Sequence, residues 1–196
     1  WVSDPADGRV KIVSEEVLSD DWALLKKIQF DFQRRDGGWA RQVRQTYDRG
    51  DRAVLLPYDP ARGTVLLVKQ FRLPAMVKGR PAFLIEACAG LLDANDPVTC
   101  IRKEAEEELG YHLPDVRQVG MIFMSPGSVT EELAFFVCAY SAADQISEGG
   151  GAEDEGEDIE VLEMPLDEAL AMTRDGRIVD AKTIMLLQHV KLYGLG

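Results

Sequence analysis

Histidine and cysteine are scarce in this chain, with two of the first and three of the second among 196 residues. Cys88, Cys100 and Cys138 are an odd set without metal-ligand spacing, and neither His112 nor His189 has a serine or cysteine partner at a recognised spacing. A zinc site and a His-based catalytic triad are therefore not expected. Ser125-Pro126-Gly127 reads as a turn, because no nucleophile elbow surrounds it. No apolar run approaches 18 residues, so no membrane-spanning helix is predicted, and no signal peptide is visible. Basic residues are outnumbered 22 to 34, and the net charge of -12 argues against nonspecific nucleic-acid binding. Each cysteine lies in an apolar pattern, which points to buried thiols and a reducing cytoplasm. The chain begins at Trp1 rather than Met, so native residues are expected to precede it.

What the chain has in abundance is acid, and the acid is clustered. Twelve of the 34 carboxylates sit in two short segments, Gly90–Tyr111 and Glu153–Glu160. In the first, a glycine approach precedes a helix that carries Glu104, Glu106, Glu107 and Glu108. Asp96 suits the N-cap, Pro97 the first helical position and Gly110 the C-terminal stop. Val98, Ile101, Ala105 and Leu109 recur at helical spacing and predict a buried stripe, with the acids on the outer face. Glu104 and Glu108 share a face, with Glu107 beside them, while Glu106 points elsewhere into solvent. Like charges this close repel unless a cation compensates them, and converging carboxylates are hard oxygen ligands suited to Mg²⁺ or Mn²⁺. Metals held in this way commonly meet phosphates, so the segment suggests phosphate-anhydride chemistry. The simpler alternative is a solvated acidic helix face.

Residues 9–17 and 22–34 read as strands, Asp36-Gly37-Gly38 as a hairpin turn, and 39–48 as a returning strand. This polar N-terminal ribbon has little core of its own. Ala53–Tyr58, Thr64–Arg72, Phe83–Cys88, Gln118–Met124, Leu133–Tyr140 and Ile159–Met164 read as further strands. Leu166–Thr173 and Ala181–Lys191 read as helices, and Glu148–Gly156 as a mobile loop rich in glycine and acid. Strands and helices mixed in this order predict an α/β/α sandwich with a mixed sheet. The expected organisation is an extension over 1–50 and a domain over 51–196.

Gly90 together with Lys103-Glu104-Ala105-Glu106-Glu107-Glu108-Leu109-Gly110-Tyr111 resembles the Nudix box of the Nudix hydrolases. Three departures stand out: Asp96 takes the place of a glutamate, the spacing to the basic-acidic pair is one residue short, and Lys103 replaces an arginine. Lysine cannot make the same bidentate fork. Tyr47–Gly50, Lys69–Arg72, ACAGLLD, Ser125–Glu131, Gly156–Glu163 and Asp180–Thr183 extend the resemblance to the GDP-mannose pyrophosphatase branch, from about residue 10 to about 193.

The resemblance implies metal ligands from the Ala89 carbonyl, Glu104, Glu108 and an acid of the later loop. Counting back from the following strand makes that acid Glu157; counting forward from the glycines makes it Glu155. The strand fixes register better, so Glu157 is preferred as ligand and water-activating group. Gly90 and Leu91 adjoin the metal-facing carbonyl as substrate contacts. Arg44 and Arg72 match pyrophosphate-gripping positions, where a guanidinium fork suits phosphate oxygens. Lys182 and Glu131 match ligand-contacting polar positions. Trp22 stands where the branch has an aromatic from the partner subunit, with a buried ribbon tryptophan as the alternative. Gln45 and Val43 replace charged residues beside Arg44. A homodimer formed through the ribbon is implied. The expected activity is Mg²⁺-dependent hydrolysis of a nucleoside diphosphate sugar, GDP-mannose giving GMP and mannose 1-phosphate. ADP-ribose hydrolysis is the enzymatic rival, and a non-catalytic nucleotide-sugar sensor the rival of another class.

Overall fold

The computed structural model describes residues 8–92, 95–152 and 156–195. They divide into two compact units: residues up to Gly50 together with Ser125–Glu131, and Asp51–Met124 together with Glu132 onward.

The first unit is a three-stranded antiparallel sheet of β1 (Val10–Asp20), β2 (Leu24–Gln33) and β3 (Trp39–Asp48), in that order. The turn after β2 forms where Asp36-Gly37-Gly38 predicts it. Gly37 adopts φ 85°, and the Asp36 carboxylate accepts from the Gly38 N–H at 2.9 Å. Cross-strand ion pairs Lys26–Glu15, Lys27–Glu16 and Arg41–Asp31 decorate the sheet. The surface is not simply polar, however: Ile12, Val13, Val17, Leu18 and Trp22 are all exposed. Ser125–Glu131 joins this unit through Tyr47, whose N–H donates to the Ser128 carbonyl at 2.8 Å and whose carbonyl accepts from the Thr130 N–H at 3.1 Å. Ser125–Gly127 is a turn, as expected, with the Ser125 carbonyl accepting from Ser128 and Val129.

The second unit is built on β4 (Arg52–Asp59), β5 (Thr64–Phe71), β6 (Phe83–Glu86), β7 (Cys88–Leu91), β8 (Arg117–Phe123), β9 (Glu132–Ala139) and β10 (Glu160–Pro165). The main path runs β10-β5-β4-β9-β8; β4 and β9 are parallel and the other pairs antiparallel, so the sheet is mixed. Both faces are covered, because apolar residues in these strands run continuously and alternate sides. Leu55, Leu66, Val68 and Phe136 pack with Ile101, Ala105 and Leu109 of the acid-rich helix. Leu56, Leu67 and Phe135 pack with Leu166, Ala169 and Met172 of the helix Leu166–Asp175 and Leu186, Leu187 and Val190 of the helix Ala181–Tyr193. Burying a side chain of this kind contributes about 1.5–3 kcal/mol. The three cysteines are free and buried, as their apolar setting predicts.

One departure positions the site. Phe83–Cys88 is not a single strand but two, broken at Ala87. β4 and β5 pair only at Tyr58–Val65 and Asp59–Thr64 and then part. The chain fills the opening, pairing first with β5 as β6 and then with β4 as β7. A change of partner forces a break in the ladder, and period-2 patterning carries no sign of which neighbour a strand pairs with. A short helix absent from the sequence reading, Leu73–Val77, lies between β5 and β6.

Candidate active site

The acid-rich helix forms where its signals place it. Asp96 accepts from the Val98 and Thr99 N–H groups, both at 3.1 Å, and Pro97 occupies the first turn. An Asp cap is worth about 1 kcal/mol. The helix is regular only over Pro97–Glu104; Ala105–Leu109 widens into a π turn that ends on Gly110 at φ 79°. Turns of this kind are frequent at functional sites. The expected stripe is present, with Ile101, Ala105 and Leu109 fully buried.

The acids do not all face outward. Glu108 is 1% exposed. Its carboxylate accepts from the Ala89 N–H at 3.1 Å and from the Cys88 thiol. Burial pushes the Glu108 carboxyl up to about 8, against the lowering effect of the Cys88 and Ala89 bonds, and the neighbouring charges of Glu104 and Glu157 push it the same way as burial. Glu104 lies over the glycine approach, and a Cβ on Gly90 would overlap its carboxylate. Glycine is required there by close approach rather than by backbone angle. Glu107 is half-buried and paired with Lys103 at 3.0 Å, four residues back on the same helix. Glu106 is not merely solvated, since its carboxylate meets His112 Nδ1 at 2.6 Å.

The glycine-rich loop is tied down where it is described. The Gly150 N–H donates to the Glu108 carbonyl and the Gly151 N–H to the Glu107 carbonyl, each at 3.0 Å. Helix C-termini leave such carbonyls unpaired, and Gly149, Gly150 and Gly151 at φ 69°, 116° and 85° let the backbone reach them. Of the loop expected over Glu148–Gly156, Gly150 and Gly151 are thus bonded to the helix, while residues 153–155 lie outside the described ones. The anchoring brings Glu157 beside the helix, where its Oε2 accepts from the Ala152 N–H at 3.1 Å. Glu155, the other candidate base, lies outside the described residues, as does Glu153.

Next to these acids stands a cationic group. Arg72 donates through Nε and Nη2 to both oxygens of Glu86, at 2.8 and 3.0 Å. Lys182 donates to Glu86 at 2.5 Å and meets Asp180 at 2.9 Å. Asp180 also caps the helix Ala181–Tyr193, accepting from the Thr183 N–H at 3.0 Å. Burial alone would raise the Glu86 carboxyl, but the Arg72 hydrogen bond and the charges of Lys182 and Arg72 bring it down to about 2. Lys182 is thus not an ordinary surface charge, as its sequence setting alone suggests. Sequence reasoning passed over Glu86 altogether, and the signal was a lone carboxylate inside the apolar run Phe83–Cys88. A buried acid needs a cationic partner.

Ala89, Gly90, Leu91, Arg72, Glu104, Glu107, Glu108, Glu157 and Lys182 thus all belong to one compact unit. Trp22, Arg44, Gln45 and Glu131 belong to the other. Trp22 is 82% exposed, which removes the alternative of a buried ribbon tryptophan. Arg44 turns to its own strand, donating to the Val43 carbonyl and the Gln42 side chain. Gln45 is exposed, and Glu131 meets Arg49 at 3.1 Å.

The acidic group fits a hard divalent cation on its chemistry. Glu104 and Glu157 lie close enough to raise the proton affinity of Glu108, and Gly90 makes room for Glu104. Among the described residues no three acidic, histidine or cysteine side chains are already closed on one point.

A family profile described as the NUDIX domain matches residues 48–187, and one described as the GDP-mannose pyrophosphatase NudK N-terminal domain matches residues 9–47. The GDP-mannose pyrophosphatase of Pectobacterium atrosepticum is 52% identical over 94% of this chain and 95% of its own length. That of Cronobacter sakazakii is 46% identical over 95% and 97%. A solved structure described as an ADP compounds hydrolase superposes with a TM-score of 0.72 over 94% of each chain at 17% identity, a likeness that shows the α/β fold alone.

Proposed function

The chain belongs to the NUDIX family, and on that premise we propose that it is a Mg²⁺-dependent pyrophosphatase of nucleoside diphosphate sugars, hydrolysing GDP-mannose to GMP and mannose 1-phosphate. One observation carries the chemistry: Glu104 and Glu157 lie near enough to the buried Glu108 for their charges to raise its proton affinity, within the same unit as the Arg72–Lys182 cations. The substrate rests on relatives named GDP-mannose pyrophosphatase over nearly the full length of the chain.

Glu104, Glu108, Glu157 and the Ala89 carbonyl would hold the cation, Mg²⁺ or Mn²⁺, with Glu107 as an outlying donor. When bound, the cation supplies positive charge for the phosphate oxygens. Glu157 takes the proton of the attacking water, a role that general bases of suitable geometry fill at about 10²–10⁴-fold in rate. Arg72 and Lys182 grip the pyrophosphate, and Gly90 and Leu91 bring backbone close to it. The phosphomonoester leaves once the P–O bond to the other phosphate breaks.

The first unit serves as the dimerisation element. Its exposed apolar row on β1 and the open strand edge are surfaces that a second copy would cover. Trp22, Arg44, Gln45 and Glu131 then reach substrate from this element, Trp22 stacking on the base of the partner subunit's substrate. Three free buried thiols suit a reducing cytoplasm.

The deciding experiment is a product assay with GDP-mannose and ADP-ribose side by side, with Mg²⁺ and with chelator, read by mass spectrometry. Metal-dependent GMP and mannose 1-phosphate in excess of ADP-ribose turnover is the expected result. Preference for ADP-ribose replaces the substrate and keeps the mechanism, whereas binding without turnover identifies a sensor. Deleting residues 1–50 should abolish the dimer in sedimentation, and a deletion variant that remains dimeric refutes the assigned interface.

A further inference from the structure

We propose that Glu86 is a positioning residue for the pyrophosphate, one that aims the donors of Arg72 and Lys182 while cancelling their charge. The inference rests on the reading of Arg72 and Lys182 as pyrophosphate ligands.

The argument begins with donor counts. A guanidinium has five N–H groups. Two of those on Arg72 are committed to Glu86, one from Nε and one from Nη2. The bidentate contact fixes the plane of the fork, so the remaining donors leave in a defined direction. The Arg72 side chain is one-third exposed while Glu86 is 3% exposed, so the open edge of the fork faces away from the buried acid. The Arg72 backbone is held too, its N–H donating to the Ala82 carbonyl at 2.7 Å. An ammonium has three N–H groups. Lys182 gives one to Glu86 and one to Asp180, and the third remains. A flexible four-carbon stem is thereby reduced to one direction.

Charge is the second half. Arg72 and Lys182 carry two positive charges, and Glu86 and Asp180 two negative ones, so the group is neutral overall. A neutral group grips an anion through aimed donors rather than through net attraction. The diphosphate of the substrate and the phosphomonoester products are then not discriminated by bulk charge, and a product is not trapped by a surplus of cations.

This makes a prediction of sign. If Glu86 only offset charge, Glu86→Gln would leave a surplus positive charge and lower KM for an anionic substrate. If it positions the donors, the same change frees both side chains and raises KM. The experiment measures KM and kcat on GDP-mannose for Glu86→Gln, Arg72→Ala and the double variant, with unfolding midpoints for each. The expected result is a rise in KM of about 10–100-fold in Glu86→Gln, the scale seen when outer-shell partners are removed. kcat should change by much less. The added loss from Glu86→Gln in the Arg72→Ala background should be smaller than its loss alone, because only the aiming of Lys182 is then left to remove. Glu86→Asp, which keeps the charge and shortens the reach, should recover part of the KM, and it carries the comparison if Glu86→Gln does not fold. An unchanged or lowered KM in Glu86→Gln, or full additivity in the double variant, overturns the proposal. An unchanged KM in Arg72→Ala overturns the underlying assignment of Arg72 as well, and so separates the two failures.

Discussion

Glu86 and Glu108 are both buried carboxylates of one compact unit, exposed by 2% and 1% respectively, yet their acidities lie on opposite sides of the ordinary value. Glu86 sits between two cations and is held near 2; Glu108 sits among other acids and is pushed up to about 8. Burial opposes ionisation in both, so the neighbours decide the outcome. The Glu86 group is complete as it stands. In the Glu108 group the carboxyl is flanked by the acids Glu104 and Glu157, which the proposed cation would compensate. One polypeptide thus carries a cation-balanced carboxylate and an acid-flanked one, and on the proposed function the first orients substrate and the second holds metal.

The sharpest way to break this contrast is Glu157→Gln. It removes a negative charge near Glu108 and, on the proposed mechanism, the base. kcat should fall by about 10²–10⁴-fold with KM nearly unchanged, while the metal-free protein becomes no less stable; steady-state kinetics and thermal denaturation measure the two effects. Near-normal kcat would move the role to Glu155 or Glu153.

The next effect is on pH. The folded-state pKa of Glu108 is raised, so between about 4.5 and 8 the folded protein binds more protons than the unfolded chain and loses stability as pH rises. The loss in metal-free protein is on the order of 5 kcal/mol across that window. Added Mg²⁺ should restore the lost stability, which calorimetry across pH with and without chelator checks. Glu86 behaves oppositely: its contribution is fully present above about 4.5 and fades as pH falls toward 2.

A smaller change makes Glu86 more like Glu108. Lys182→Met removes one of its two cations and should cost about 2 kcal/mol, the worth of a hydrogen bond to a buried charge, read from urea denaturation. The least effect is expected from Lys103→Ala. Lys103 is exposed and its partner Glu107 half-buried, four residues apart on a helix, a pairing worth about 0.3–0.5 kcal/mol. A large loss of stability there would show that Lys103 substitutes for the missing arginine in a way that its exposure does not suggest.

The acid-rich helix was legible because its signals are local. Asp96, Pro97, the apolar stripe and Gly110 each constrain the same few residues, and all took their expected places. The mixed sheet was legible in composition but not in connectivity, since nothing in Phe83–Cys88 says that the chain changes partner at Ala87. The burial of Glu108 was missed for a related reason. Helical spacing ranks faces by hydrophobicity and assigns charge to the outside, whereas here a strand carrying Cys88 and Ala89 supplies donors from the inside. Glu86 was missed because its partners, Arg72 and Lys182, lie 14 and 96 residues away in sequence. The glycine run was legible as a loop, but its anchoring depends on carbonyls of a helix some forty residues earlier.

The exchange of partners at Ala87 has a consequence for how this sequence can vary. Five consecutive residues, Glu86 to Gly90, link the neutral cluster to the acidic one. Glu86 holds the cations, the Ala89 N–H holds Glu108, and Gly90 makes room for Glu104. Strand side chains alternate faces, so one inserted or deleted residue between Glu86 and Gly90 would turn one cluster away from the other. Substitutions can be absorbed one side chain at a time, but a change of length here cannot. Variation in length among descendants of this chain should therefore collect in segments such as the turn between β4 and β5 and spare these five positions.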